Sequence, residues 1–284
     1  MDDFAGRDAP VEYWFFKVVS GDLAFLVDWI VGKESGEAEV RVSLWVRGRG
    51  RVVRDTARTW RVRGSTVEIA DATFTPTLID GTVDDVRWQL TAVPGAARLD
   101  PVPPAARRTH PFDLELVSRP RARFSGTVQV AGETFVLRDA RGTLNHYWGR
   151  RLPASWVWVS AELDDSDVIV EAVLLRSRLW KVPKAAVMGG YVVLDGGRRN
   201  TQVLAPAYGR LTGDGDEESF TLRARALRRE VRLTTSARRE TYNDLGDGIR
   251  QTLLADVAVD DWGSCKGRAG LEFRGARWGA HPQP

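Results

Sequence analysis

Along most of the chain, apolar and polar residues alternate with a period of two, the mark of strands that bury one face. Val40, Val42, Leu44 and Val46 alternate with Glu39, Arg41, Ser43, Trp45 and Arg47. Val86, Trp88 and Leu90 alternate with Arg87, Gln89 and Thr91, and Phe220, Leu222 and Ala224 with Thr221, Arg223 and Arg225. Leu253, Ala255, Val257 and Val259 continue the pattern. Turn residues punctuate the runs at Ser20-Gly-Asp22, Ile79-Asp-Gly81, Ala131-Gly-Glu133 and Asp195-Gly-Gly197. A 3.6-residue period is nearly absent; only Thr235–Tyr242 and Pro101–Arg108 are expected to hold a short helix. The pattern predicts an all-β protein built as a barrel or sandwich.

Between Val93 and Pro120 lie six of the 13 prolines, and residues 94–111 read as a linker or crossing loop. A boundary there divides the chain into residues 1–116 and 117–284. An internal repeat supports two similar units. At a constant offset of 143, Glu12–Val31 falls on Ser155–Leu174, with Tyr13 on Trp156, Phe15 on Trp158, Asp22 on Asp165 and Asp28 on Glu171. Each segment reads as an aromatic strand, an acidic turn and an apolar strand carrying one carboxylate.

Composition narrows the function. A chain of 284 residues with 43% apolar and 28% charged residues can bury a real core. No apolar run approaches the ~18 residues needed to span a bilayer as a helix. The opening MDDFAGRDAP lacks the apolar core of a secretory signal, so a cytoplasmic location without stable membrane insertion is expected. The single Cys265 excludes an intrachain disulfide. With His110, His146 and His281 the only histidines, a His-rich zinc or iron centre is argued against. The net charge is +3, with 36 Arg against 5 Lys. The arginines are interleaved with acids and spaced singly along strands, which describes solvated strand faces better than a nucleic-acid groove.

Three sets of residues could carry chemistry. Tryptophan is abundant, 11 in the chain. Each tryptophan taken alone is more simply core filling. As a set, Trp14, Trp29, Trp45, Trp88, Trp156 and Trp158, with Phe16, suit the lining of a cavity for a bulky unsaturated ligand. Asp28 and Glu171 sit within apolar runs, Asp28 on the side of Ala24, Leu26 and Ile30, and Glu171 on that of Ile169, Val173 and Leu175. A carboxylate buried there either pairs with an arginine or acquires the raised pKa of a general acid. The densest segment is Gly142–Trp158, with His146, Tyr147, Trp148, Arg150 and Arg151 ahead of Trp156 and Trp158. His146 could move a proton near neutral pH or simply bond a backbone carbonyl.

These motifs resemble a known family. Ser118-Arg-Pro120, Phe124-Ser-Gly126, Gly142-Thr-Leu-Asn-His-Tyr-Trp-Gly149 and Trp156-Val-Trp158 look like the start of the second domain in carotenoid 1,2-hydratase and tocopherol cyclase-like proteins. Lipocalin-like Diels–Alderases share that architecture. Glu12-Tyr-Trp14 resembles the Glu-Trp-Trp that opens the family's first domain, and Phe273–Trp278 its close. The resemblance implies two lipocalin-like antiparallel β-barrel domains in tandem, a hydrophobic pocket, and no metal or organic cofactor. One departure matters: Asn145 stands where the family pattern has Asp before His. An amide supplies no acid for hydration or protonation-driven cyclisation. That shifts the expectation to a cofactor-independent cyclase of pericyclic type that folds a hydrophobic polyketide or terpenoid. The candidate catalytic residues are His146, Tyr147, Asp28 and Glu171. The candidate substrate contacts are Glu12, Tyr13, Trp148 and Arg150 with the aromatic set. A hydratase, a protonation-driven cyclase and a non-catalytic carrier are the alternatives, in a monomer or homodimer.

Overall fold

A computed structural model describes residues 2–101, 114–164, 166–179, 182–197, 200–205, 209–226 and 229–275. The chain forms two compact units, residues 1–152 and 153–284. Strands of the first are β1 (Val11–Ser20), β2 (Leu23–Gly32), β3 (Glu37–Val46), β4 (Arg49–Ala57), β5 (Trp60–Arg63), β6 (Thr66–Ile69), β7 (Ala72–Phe74), β8 (Leu78–Val83), β9 (Val86–Val93), β10 (Leu114–Val130) and β11 (Glu133–Gly149). They make one antiparallel sheet in the order β4-β3-β2-β1-β11-β10-β9-β8-β7-β6-β5. It curls into a nearly closed barrel, so that β4 comes against β8 and β3 against β6.

The second unit holds β12 (Ser155–Glu162), β13 (Ile169–Leu179), β14 (Val182–Asp195), β15 (Asn200–Ala205), β16 (Arg210–Gly215), β17 (Ser219–Ala226), β18 (Arg229–Ser236), β19 (Asn243–Asp244), β20 (Ile249–Val259) and β21 (Gly263–Arg274). Its sheet runs β15-β14-β13-β12-β21-β20-β18-β17-β16, with β19 paired to β20. Its edges also meet, β15 beside β16. Two lipocalin-like barrels in tandem therefore follow, as the period-two pattern and the family resemblance both imply.

The division between the units differs from the sequence reading. The proline-rich stretch does not separate them, because β10 and β11 pair with β9 and β1 and complete the first barrel. The first unit ends after Leu152. Residues 102–113 of that stretch lie outside the described residues; just before them Leu99 bridges to Ser118 on β10. Of the two helix expectations, Thr235–Tyr242 reduces to a single 3₁₀ turn at Arg239–Thr241. The other, Pro101–Arg108, lies almost wholly outside the described residues.

Alternation fixes what each barrel buries. Inside the first lie Trp14, Phe16 and Val18 from β1 and Phe25, Val27, Trp29 and Val31 from β2. Inside the second lie Val157, Val159 and Ala161 from β12 and Val170, Ala172 and Leu174 from β13. The offset of 143 maps inward residues onto inward residues in both strands. Registers differ, however. Phe15 lies opposite Asp28, whereas Ser160 lies opposite Glu171, a slip of two residues that leaves every side chain on its face.

Candidate functional site

The interior of the first barrel is packed. Phe16 meets Phe124 and Phe25 at ring-centroid distances of 5.3 and 5.6 Å, and Trp29 meets Phe74 at 5.4 Å and Trp88 at 6.2 Å. Trp14, Phe16, Trp29 and Trp88 have no accessible surface. Phe16, Trp29 and Trp88 pack ring on ring with their neighbours and Trp14 stacks on His146, so here these four are core, and the cavity-lining expectation is corrected for them. Summed aromatic contact area and edge-to-face geometry hold the barrel together.

One end of that interior is polar. Glu12 and His146 point inward from β1 and β11, each next to Trp14 in the ladder. His146 Nε2 lies 3.0 Å from Glu12 Oε2, and Nδ1 lies 2.9 Å from the Asp3 carbonyl oxygen. Both ring nitrogens are therefore engaged. The ring stacks on Trp14 at 4.7 Å and touches Trp148 at 4.9 Å. Burial alone would raise the Glu12 pKa. Hydrogen bonds from His146, from Lys33 and from the Arg7 amide outweigh it and hold the carboxylate below its usual range. Lys33 Nζ is 2.6 Å from Oε1, and it also donates to the Arg7 carbonyl.

This network straps the N-terminal segment across the barrel end. Phe4 is buried against Phe74, and its carbonyl accepts the Trp14 indole N–H at 2.9 Å. Asp3 is clamped by Arg98 at 2.7 Å and Arg119 at 2.8 Å. These arginines outweigh the effect of burial and lower its pKa. His146 is thus an anchor, with no ring nitrogen left for a substrate. The carboxylate beside this imidazole comes from another strand, as Glu12 of β1. Sequence reading did not find Asp3, Lys33, Arg98 and Arg119, since partners so far apart in the chain leave no local signal.

The outer face of the same sheet is different. A single cross-strand row runs Arg41–Asp28–Phe15–Asn145–Ser118 from β3 to β10. All five are buried. Arg41 Nε and one terminal nitrogen both reach Asp28 Oδ2 at 2.9 Å. Burial raises the Asp28 pKa more than Arg41 lowers it. The ion pair is the arginine partner that sequence reading offered as one possibility, and the raised pKa is the other; here both hold. Asn145 Nδ2 donates to Thr143 Oγ1 at 3.0 Å. The next row outward, Glu39–Ile30–Tyr13–Tyr147, is half-exposed, and the Tyr147 ring meets Phe15 edge-on at 5.1 Å. The next row inward holds Ser43, Leu26, Lys17 and Thr143, all buried; beyond it, Trp45 is buried on the same face of β3. Arg150, just past β11, is exposed.

In the second unit the corresponding outer face carries Trp156, Trp158 and Glu171. Trp158 Nε1 donates to Glu171 Oε1 at 2.7 Å, and Trp156 Nε1 donates to Glu272 Oε1 at 2.7 Å. Arg274 lies 5.2 Å above the Trp156 ring. Among the described residues no cluster of three or more His, Cys, Asp or Glu side chains is arranged to hold a metal ion. No described helix is long and apolar enough to cross a membrane.

No family model matches the chain. Two uncharacterised proteins of Mycobacterium tuberculosis, from strains CDC 1551 / Oshkosh and H37Rv, are each 30% identical over 104 residues, 36% of this chain and 31% of theirs. The chain thus covers about a third of the length of the curated relatives it matches. Solved structures extend the likeness over both barrels. A Nitrosomonas europaea protein described as an AttH superposes with a TM-score of 0.71 at 16% identity, covering 97% of this chain and 96% of that one. Kievitone hydratase from Nectria haematococca gives 0.64 at 11% identity, covering 98% and 92%. CghA, solved with Sch210972, gives 0.63 at 12% identity, covering 98% and 97%. The chain therefore has the tandem lipocalin-like fold of these proteins, the architecture implied by its resemblance to carotenoid 1,2-hydratase and tocopherol cyclase-like proteins.

Proposed function

We propose that the protein is a cofactor-independent cyclase of a hydrophobic polyketide or terpenoid, with its reaction face on the outer side of β1, β2, β3, β10 and β11. The row Arg41–Asp28–Phe15–Asn145–Ser118 carries this reading: charged at one end, neutral at the other, with an aromatic ring between. Such a row suits a molecule that is mostly apolar with one polar end. Phe15 and Trp45 offer faces to a flexible chain, and holding it near its reactive fold removes entropy from the barrier. Arg41, oriented by Asp28, or the Tyr147 phenol would polarise a carbonyl as charge develops. The name of one structural neighbour, kievitone hydratase, supports an enzyme of this general kind.

A second reading has its own support. The raised pKa of Asp28 is what a general acid needs, and protonation-driven cyclisation or hydration would use it. The Asn145 departure removes an acid only at its own position. Asp28 returns a carboxyl group to the same face two strands away, about 10 Å across the sheet.

Ligand placement is tested by tryptophan emission. A linear polyene ketone titrated into the protein is expected to quench fluorescence at about one per chain. Trp45→Phe should remove a large part of that quenching, whereas Trp88→Phe, in the packed interior, should leave the fractional quenching unchanged. The reverse pattern would move the site into the barrel.

A further inference from the structure

We infer that Asn145 and Ser118 form a hydroxyl-recognition pair, so that the substrate is an apolar molecule bearing an alcohol, enol or phenol; this rests on the reaction face proposed above. Asn145 and Ser118 are direct partners across β11 and β10. Each is 0% exposed. Among the described residues, neither Asn145 Oδ1 nor Ser118 Oγ has a hydrogen-bond partner. Leaving a buried acceptor or hydroxyl unsatisfied is costly, and native proteins seldom do so without a functional reason.

The geometry selects the ligand group. Thr143 already engages the amide nitrogen of Asn145, which leaves Oδ1 as an acceptor. Side chains directly opposite on neighbouring antiparallel strands have Cβ atoms about 4.5–5.5 Å apart, so one oxygen atom can reach both. A ligand hydroxyl satisfies both at once: its hydrogen goes to Asn145 Oδ1, and its lone pair accepts the Ser118 O–H. An ether or ketone can accept from Ser118 but gives Asn145 nothing.

The pair is itself closed to solvent, but half-exposed side chains lie near it. It lies one row inward from the half-exposed Tyr13 and Tyr147, two residues along each strand, or roughly 7 Å. A flat aromatic ligand entering over the two tyrosines would bring a hydroxyl at its leading edge to the pair, with Phe15 beneath its ring. The Asp28–Arg41 pair lies at the other end of the row, so recognition and polarisation are separated along one molecule. A site built to hydrogen-bond a hydroxyl rejects an analogue lacking it far more strongly than an apolar pocket rejects a missing methylene.

The test uses 2-naphthol and 2-methoxynaphthalene, with binding to the full-length protein measured by calorimetry. The naphthol is expected to bind at least tenfold more tightly. That preference should fall to near unity in Asn145→Leu and to a few-fold in Ser118→Ala, a variant small enough to keep the fold if the leucine does not. Trp88→Phe, in the packed interior, should leave the preference intact. Equal binding of both probes to the wild type overturns this inference and leaves the reaction face standing. A preference lost in Tyr147→Phe but kept in Asn145→Leu and Ser118→Ala assigns recognition to the phenol and overturns it too. Failure of both probes to bind overturns the reaction face, and the inference falls with it.

Discussion

Replacing Glu12 with alanine is expected to destabilise the first barrel by about 3–5 kcal/mol, the usual cost of removing one member of a buried charged pair. The Glu12 carboxylate satisfies three donors at once: the His146 ring, the Lys33 ammonium and the Arg7 amide. Alanine leaves all three facing a cavity and releases the strap that carries Phe4. Urea unfolding followed by tryptophan emission measures the loss; a cost under about 1 kcal/mol would show the network to be surplus, since that is the worth of an exposed pair. His146→Ala should likewise lower stability, while activity per folded molecule survives. The pH dependence has a definite sign. Glu12 and Asp3 both titrate below their unfolded values of 4.5 and 3.8. Their contribution is present above those values and is lost as pH falls through the lower folded ones. Amide exchange in residues 2–8 should therefore accelerate, beyond its intrinsic pH dependence, before the β1–β2 hairpin loosens.

Much of this was legible in the sequence, for a reason visible in β2. The run Leu23–Gly32 is apolar almost without interruption, and a strand that reads so is buried on both faces. Alternation gives the two faces of each strand but not which faces inward. Asp28 shares its side with Ala24, Leu26 and Ile30, which looks like an interior, yet Trp29 and Phe25 claim the interior instead. The tryptophan excess was misleading in the same way. Trp29 and Trp88 fill the barrel because their rings tile against Phe74 and Phe25, and composition cannot distinguish tiling from lining. His146 and Asn145 are adjacent in the motif and point to opposite faces, so reasoning about one from the other fails. The Arg41–Asp28 pair and the Asn145–Ser118 pair need the strand register, and register across sequence-distant strands leaves no mark in a single chain.

Asp28→Asn separates the two mechanisms. If Asp28 orients Arg41 over a polarised substrate, turnover is expected to fall about tenfold, or 1.4 kcal/mol of barrier. The pH–rate profile should be flat through the range where a carboxyl group titrates, in the wild type and the variant alike. If Asp28 is instead the acid, turnover falls by about 10²–10⁴-fold. The wild type then loses activity as pH rises through the raised Asp28 pKa, and the variant has no such limb. Stability gives an independent check with its own sign. A folded pKa above the unfolded value of 3.8 means that the folded state holds its proton longer. Its contribution is fully present below the unfolded value and is lost as pH rises through the folded one, opposite to Glu12. Asparagine keeps a neutral group of the same shape beside Arg41 and should flatten that slope. A variant whose stability still falls over that window would show that Asp28 is ionised throughout, which would remove it as an acid and leave Arg41 as the polarising group.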